Sequence, residues 1–140
     1  MKKLDNFIRS LSALQNANFD LADNDEIYRT GIVGQFNLTF ELSWKCLQAV
    51  LRGHAVNGAE TGSPREILRL GYQTGFLDDA DVWLLMLKKR NLSVHIYDEE
   101  QIDELIIMIR DSFIPAFAAL ADTLRDKAGE IDDSWDTDSQ

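Results

Sequence analysis

Residues 25–53, DEIYRTGIVGQFNLTFELSWKCLQAVLRG, carry apolar side chains at Val33, Phe36, Phe40, Trp44, Leu47 and Leu51, each three or four positions after the last. That spacing lays one stripe along a long helix. A second stripe contains Leu38 and Leu42. A helix with two apolar faces either lies at the centre of a bundle or sits between its own core and a partner chain.

The flanking segments supply what packs against it. The spacing of Leu4, Phe7, Ile8, Leu11 and Leu14 predicts a first helix over about Lys2–Leu21, ended by ADNDE. After the glycine-containing loop GHAVNGAETG, Ser63-Pro64-Arg65-Glu66 reads as a helix start. Ser63 can cap the N–H of Glu66, Glu66 can reach back, and Pro64 stands where a missing N–H costs nothing. This short helix should end near Gly75. Leu77-Asp78 should open the next, whose run Val82-Trp83-Leu84-Leu85-Met86-Leu87 is apolar nearly all round and is expected to be buried. Asp98 with Gln101 forms another capping pattern before the apolar series Ile102, Leu105, Ile106, Ile109, Phe113, Phe117, Leu120 and Leu124. Pro115 falls inside that last helix and should kink it. The expected fold is all-α, an up-and-down four-helix bundle with one additional short helix.

At 140 residues with 45% apolar and 27% charged side chains, one domain is expected over residues 1–128. The segment 129–140, GEIDDSWDTDSQ, holds five acids and no base and reads as a solvated, disordered tail; an arm that faces a partner or imitates RNA is the alternative. No apolar run approaches the roughly 20 residues that span a bilayer, and Asp5, Asn6 and Arg9 interrupt any signal-peptide pattern, so a cytoplasmic location is expected. Cys46 is the single cysteine, assigned to packing. His54 and His95 are too far apart for zinc spacing, so neither metal nor cofactor is expected. The net charge of −10, or −5 over residues 1–128, opposes nucleic-acid binding by bulk electrostatics.

The stretch KKRNLSVHIYDEE, residues 88–100, concentrates the chemistry. Arg90 and His95 would lie about 140° apart on a continuous helix, so they converge only if the helix ends between them. Asn91 is a plausible stop, and Asp98 restarts a helix. With Leu92, Val94 and Ile96 turned inward, Ser93, His95 and Tyr97 would share the other side. On spacing alone, capping or packing is the commoner role for such a histidine. Lys88, Lys89 and Arg90 suit the negative end of a helix equally well.

Arg90-Asn91-Leu92-Ser93-Val94-His95-Ile96-Tyr97 resembles the R-N-x-x-x-H-x-Y signature of the HEPN superfamily. QFNLTFELSWKCLQ, SPREILR and DVWLLMLKKRN are similar, in order, to blocks of its nucleotidyltransferase substrate-binding branch, and the similarity spans about residues 1–127. The resemblance implies a metal-independent endoribonuclease toxin of a toxin–antitoxin pair, acting on RNA as a homodimer beside a minimal nucleotidyltransferase encoded nearby. In that scheme His95 is the general base on a ribose 2′-OH, leaving 2′,3′-cyclic phosphate ends. Arg90 grips the phosphate, Asn91 orients a neighbour or caps the helix, Lys88 and Lys89 help hold substrate, and Tyr97 accepts AMP from the partner. The branch's name supports the alternative, a non-catalytic substrate-binding subunit of a two-component nucleotidyltransferase.

Overall fold

The computed structural model describes residues 1–93 and 98–130, and every element among them is helical. Helix α1 spans Lys2–Gln15, α2 Glu26–Gly53, α3 Pro64–Gln73, α4 Ala80–Leu92, α5 Glu99–Met108 and α6 Ile114–Ala128. A short 3₁₀ turn, Leu21–Asp23, precedes α2, and one π-helical turn, Ile109–Phe113, joins α5 to α6 without a break. Counting that pair as one helix gives four main helices and the short α3, the arrangement expected from the sequence.

At 28 residues α2 is about 42 Å long and forms the spine of the bundle. Asp25 caps it by accepting from the Tyr28 N–H at 2.9 Å. Its inner stripe meets an aromatic cluster drawn from the other main helices. Phe36 stacks on Phe113 with ring centroids 5.3 Å apart, and Phe40 tilts against Trp83. Phe117 makes edge contacts with Phe7 and Trp83 at 6.2 and 5.5 Å. Cys46 is buried in the same core.

Ser63 forms both halves of the expected box, accepting from the Glu66 N–H while its own N–H faces the Glu66 carboxylate. Other local expectations need correction. Helix α1 stops at Gln15 because Asn16 and Asn18 turn the chain: the Asn18 carboxamide oxygen accepts from the Leu21 N–H, and the Asn18 backbone N–H donates to the Tyr28 hydroxyl at 2.7 Å. The cap of α4 is Asp79 rather than Asp78, accepting from the N–H groups of Asp81 and Val82. Asp98 caps α5 through the Glu100 N–H at 2.8 Å, with no reciprocal bond from Gln101.

The apolar run on α4 is not buried all round. Trp83, Met86 and Leu87 enter the core, whereas Leu85 and Leu92 are exposed and Leu84 is half-buried. A helix at the edge of the bundle, packed on α2, α3 and the π turn from one side, has only one inward stripe to fill. The irregularity in this helix, one π turn, also lies earlier than Pro115. Proline supplies no N–H for the carbonyl one turn back, and the π turn at Ile109–Phe113 absorbs that loss before α6 begins, with Pro115 in its first turn. No helix among the described residues is long and apolar enough to cross a membrane.

Candidate functional site

The last turn of α4 carries the arginine, and side chains from α2 and α4 fix where it points. Arg90 donates to the Glu41 carboxylate at 2.7 Å and to the Asn91 side-chain oxygen at 3.2 Å. Glu41 is itself crowded with donors: the Trp44 indole N–H bonds the same oxygen at 3.1 Å, and Lys45 pairs with the other at 3.2 Å. Partial burial pushes the Glu41 pKa up, but the hydrogen bonds from Trp44 and Lys45 and the charges of Arg90 and Lys45 outweigh it, so the net value falls below the ordinary glutamate range. Glu41 is therefore a fixed anion that holds the guanidinium through one of its terminal nitrogens, while Asn91 takes the other. An arginine has five N–H donors, and the remaining ones stay available for an oxyanion.

The helix ends where the motif requires. Ser93, not Asn91, is the C-cap: its hydroxyl donates to the Arg90 carbonyl at 2.8 Å and accepts from the Asn37 amide at 3.0 Å. Asn91 remains inside the final turn, exposed, with its side chain on Arg90. Beyond the motif, Asp98 has extended backbone and starts α5. A continuous helix through this stretch is thereby excluded. His95 and Tyr97 lie outside the described residues, so their convergence with Arg90 stays an expectation.

The basic cluster divides. Successive helical residues are about 100° apart, which puts Lys88 and Arg90 on nearly opposite sides of α4. Arg90 faces Glu41 on α2, while the exposed Lys88 shares a groove with Arg65, Leu84, Leu85, Asn91 and Leu92 on the α3 side. Lys89 is half-buried beside it. The other histidine cannot contribute, because His54 caps the far end of α2 and its Nε2 lies 2.7 Å from the Lys127 carbonyl of α6.

Sequence reading gave Arg29, Asn37 and Glu41 no part in the site that they build from behind. Arg29, Val33, Asn37 and Glu41 are spaced by four and form one stripe of α2. Arg29 reaches α5, donating to the Glu99 carbonyl at 3.1 Å and to the Asp103 carboxylate at 2.6 Å. Val33 lines a cavity of about 110 Å³ with Thr30, Ser93, Ile102 and Leu105.

Residues 2–126 match the family described as nucleotidyltransferase substrate binding protein like. A Haemophilus influenzae protein named probable ribonuclease HepT is 28% identical over 99 residues, 69% of this chain and 67% of that protein. A solved Haemophilus influenzae structure, described as revealing the fold of a substrate binding domain of a nucleotidyltransferase, superposes with a TM-score of 0.76 at 23% identity, covering 87% of this chain and 98% of its own. A crystal structure from Thermus thermophilus gives a TM-score of 0.64 at 28% identity over 86% of this chain and 97% of its own.

Proposed function

This chain belongs to the nucleotidyltransferase substrate binding protein like family, and from that premise we propose that it is the phosphate-recognising subunit of a two-component system whose other member is a separate, small nucleotidyltransferase. The family match over residues 2–126 carries the reading. The geometry supports it, because Glu41 and Asn91 orient Arg90 without using all its donors. A planar guanidinium with donors left over can offer them to a nucleotide phosphate. The test is to purify the chain with the nucleotidyltransferase encoded beside it and to follow label transfer from ATP carrying α-³²P. Tyr97 is the proposed acceptor, since AMP added there would bring bulk and negative charge to the motif. Label that persists in Tyr97→Phe would overturn that assignment.

A second reading is favoured by a specific observation, the relative named as a probable ribonuclease. In it the same Arg90 stabilises charge on an RNA phosphate, and His95 removes the 2′-OH proton without a metal, leaving a 2′,3′-cyclic phosphate. Such general-base help is worth roughly 10²–10⁴ in rate, so His95→Ala should abolish cleavage while the bundle stays folded. Cleavage by the purified chain in excess EDTA supports this reading. Its absence against every RNA tried, with nucleotide binding still dependent on Arg90, leaves the binding subunit. In both readings a two-fold homodimer is proposed, with the outer stripe of α2 as its seam.

A further inference from the structure

We propose that Arg29 and Asn37 are positioning residues that fix, from one stripe of α2, both ends of the segment joining α4 to α5. This rests on the reading that the motif between these helices performs the phosphate chemistry. Asn37 acts at the leading end, where its amide donates to the Ser93 hydroxyl and that hydroxyl donates to the Arg90 carbonyl. Arg29 acts at the trailing end, where one guanidinium nitrogen joins the Glu99 carbonyl and the Asp103 carboxylate in the first turns of α5. Glu41, one turn beyond Asn37 on the same stripe, sets the Arg90 side chain itself. A single rigid helix thus references the arginine, the helix stop before the motif histidine and the helix start after it.

Two further observations separate this from ordinary packing. Arg29 is only 12% exposed, and among the described residues its buried Nε meets no hydrogen-bond partner, nor does the Asn37 side-chain oxygen. Unpartnered buried polar atoms work against the folded state. An apolar residue at position 37 would carry no such atom. What the amide adds there is the directed bond to the helix-ending serine. A misplacement of reacting groups by about 1 Å can cost roughly a hundredfold in rate, so anchoring both ends has a functional consequence.

The experiment compares wild type with Asn37→Leu, Ser93→Ala, Arg29→Gln and Arg29→Lys in the full chain, using three readouts. These are the denaturation midpoint, backbone hydrogen exchange resolved over residues 91–101, and binding of ATP and of a short single-stranded RNA. Asn37→Leu is expected to keep or raise the midpoint while exchange in that window accelerates by about tenfold or more, the behaviour of a locally released segment. Ser93→Ala should reproduce it, and the double variant should add nothing, because Asn37 acts through Ser93. Arg29→Gln should accelerate exchange from the α5 side, and Arg29→Lys should restore part of it by reaching Asp103. Binding should weaken with exchange, not with the midpoint. Unchanged exchange in Ser93→Ala and Arg29→Gln overturns the proposal, as does acceleration spread evenly along α2. Acceleration confined to the window, in a protein whose wild type binds neither ATP nor RNA, upholds the positioning role and removes the function proposed above.

Discussion

The long helix α2 meets its neighbours across two faces built on opposite principles. On the inner face Phe36 and Phe40 pack on the rings of Phe113, Phe117 and Trp83, and the contacts depend only on shape and area. Along the adjoining ridge, which starts at Arg29 on the inner stripe and winds off it through Asn37 to Glu41, the three side chains act through directed bonds to Glu99, Asp103, Ser93 and Arg90. Apolar packing is strong and indifferent to small rotations; a hydrogen bond is weaker and fixes an angle. The first face therefore supplies stability, and the second supplies aim.

The comparison breaks most visibly at Phe36, which is fully buried. Phe36→Ala should cost about 3–5 kcal/mol, through lost transfer energy and the cavity left behind. Urea denaturation measures it. Ligand binding by the fraction that remains folded should be unchanged, and a binding defect exceeding the loss of folded protein would show that the two faces are not separable.

Glu41→Gln should cost less, about 1 kcal/mol at neutral pH, since Glu41 and Arg90 are each about one-third exposed and water screens the pair. Its signature is in the pH dependence. Because the folded-state pKa of Glu41 is lowered, its ionised form contributes stability above the ordinary glutamate value of about 4.3, and that contribution disappears as pH falls through the lower folded value. Stability measured from neutral pH down into that acid range should fall less steeply in Glu41→Gln than in wild type. An identical slope would mean that the carboxylate is not held as the geometry implies.

The inner face was legible in the sequence and the directed face was not, for a physical reason. Burial repeats with the helical period, so Phe36, Phe40, Leu47 and Leu51 announce their stripe and the bundle follows. Caps are also short-range, which is why Ser63 and Glu66 could be paired from spacing alone. Arg29 and Asp103, or Asn37 and Ser93, are 74 and 56 positions apart, and only the fold makes them neighbours. The motif arginine could be picked out, but the glutamate that sets its side chain, 49 positions away, could not. The extent of α1 and the full burial of α4 were misread because periodicity is blind to turn chemistry at Asn16 and Asn18 and to which side of a helix its neighbours pack on.

Arg90→Lys sharpens the comparison from the functional side. Stability should change by no more than about 0.5 kcal/mol, as for a surface substitution, because an ammonium can still pair with Glu41. Nucleotide or RNA binding should nevertheless fall sharply, since the planar fork is lost while the charge is kept. Titration calorimetry beside thermal denaturation separates the two effects, and binding that survives the substitution would leave Arg90 with charge alone as its contribution.

The smallest effect on the isolated chain is expected on a third face of α2, where Leu38 is 49% exposed and lines a groove with Leu42, Gln35 and the α1 residues Asn6, Arg9, Ser10 and Ala13. Ile27, further along the same side, is 86% exposed and borders a second groove that shares Ala13 and Gln35 with the first. Leu38→Ser removes little buried surface within one copy, so its monomer stability should stay within about 0.5 kcal/mol of wild type. If this stripe is the seam of a two-fold dimer burying more than about 1,000 Å², the polar hydroxyl falls at the middle of an isologous contact and is counted twice, once from each copy. Light scattering should then give a dimer for wild type and a monomer for Leu38→Ser at the same micromolar concentration. A wild type that scatters as a monomer would make Leu38 an ordinary exposed leucine, of the kind every soluble surface carries, and would leave each copy's motif to act alone.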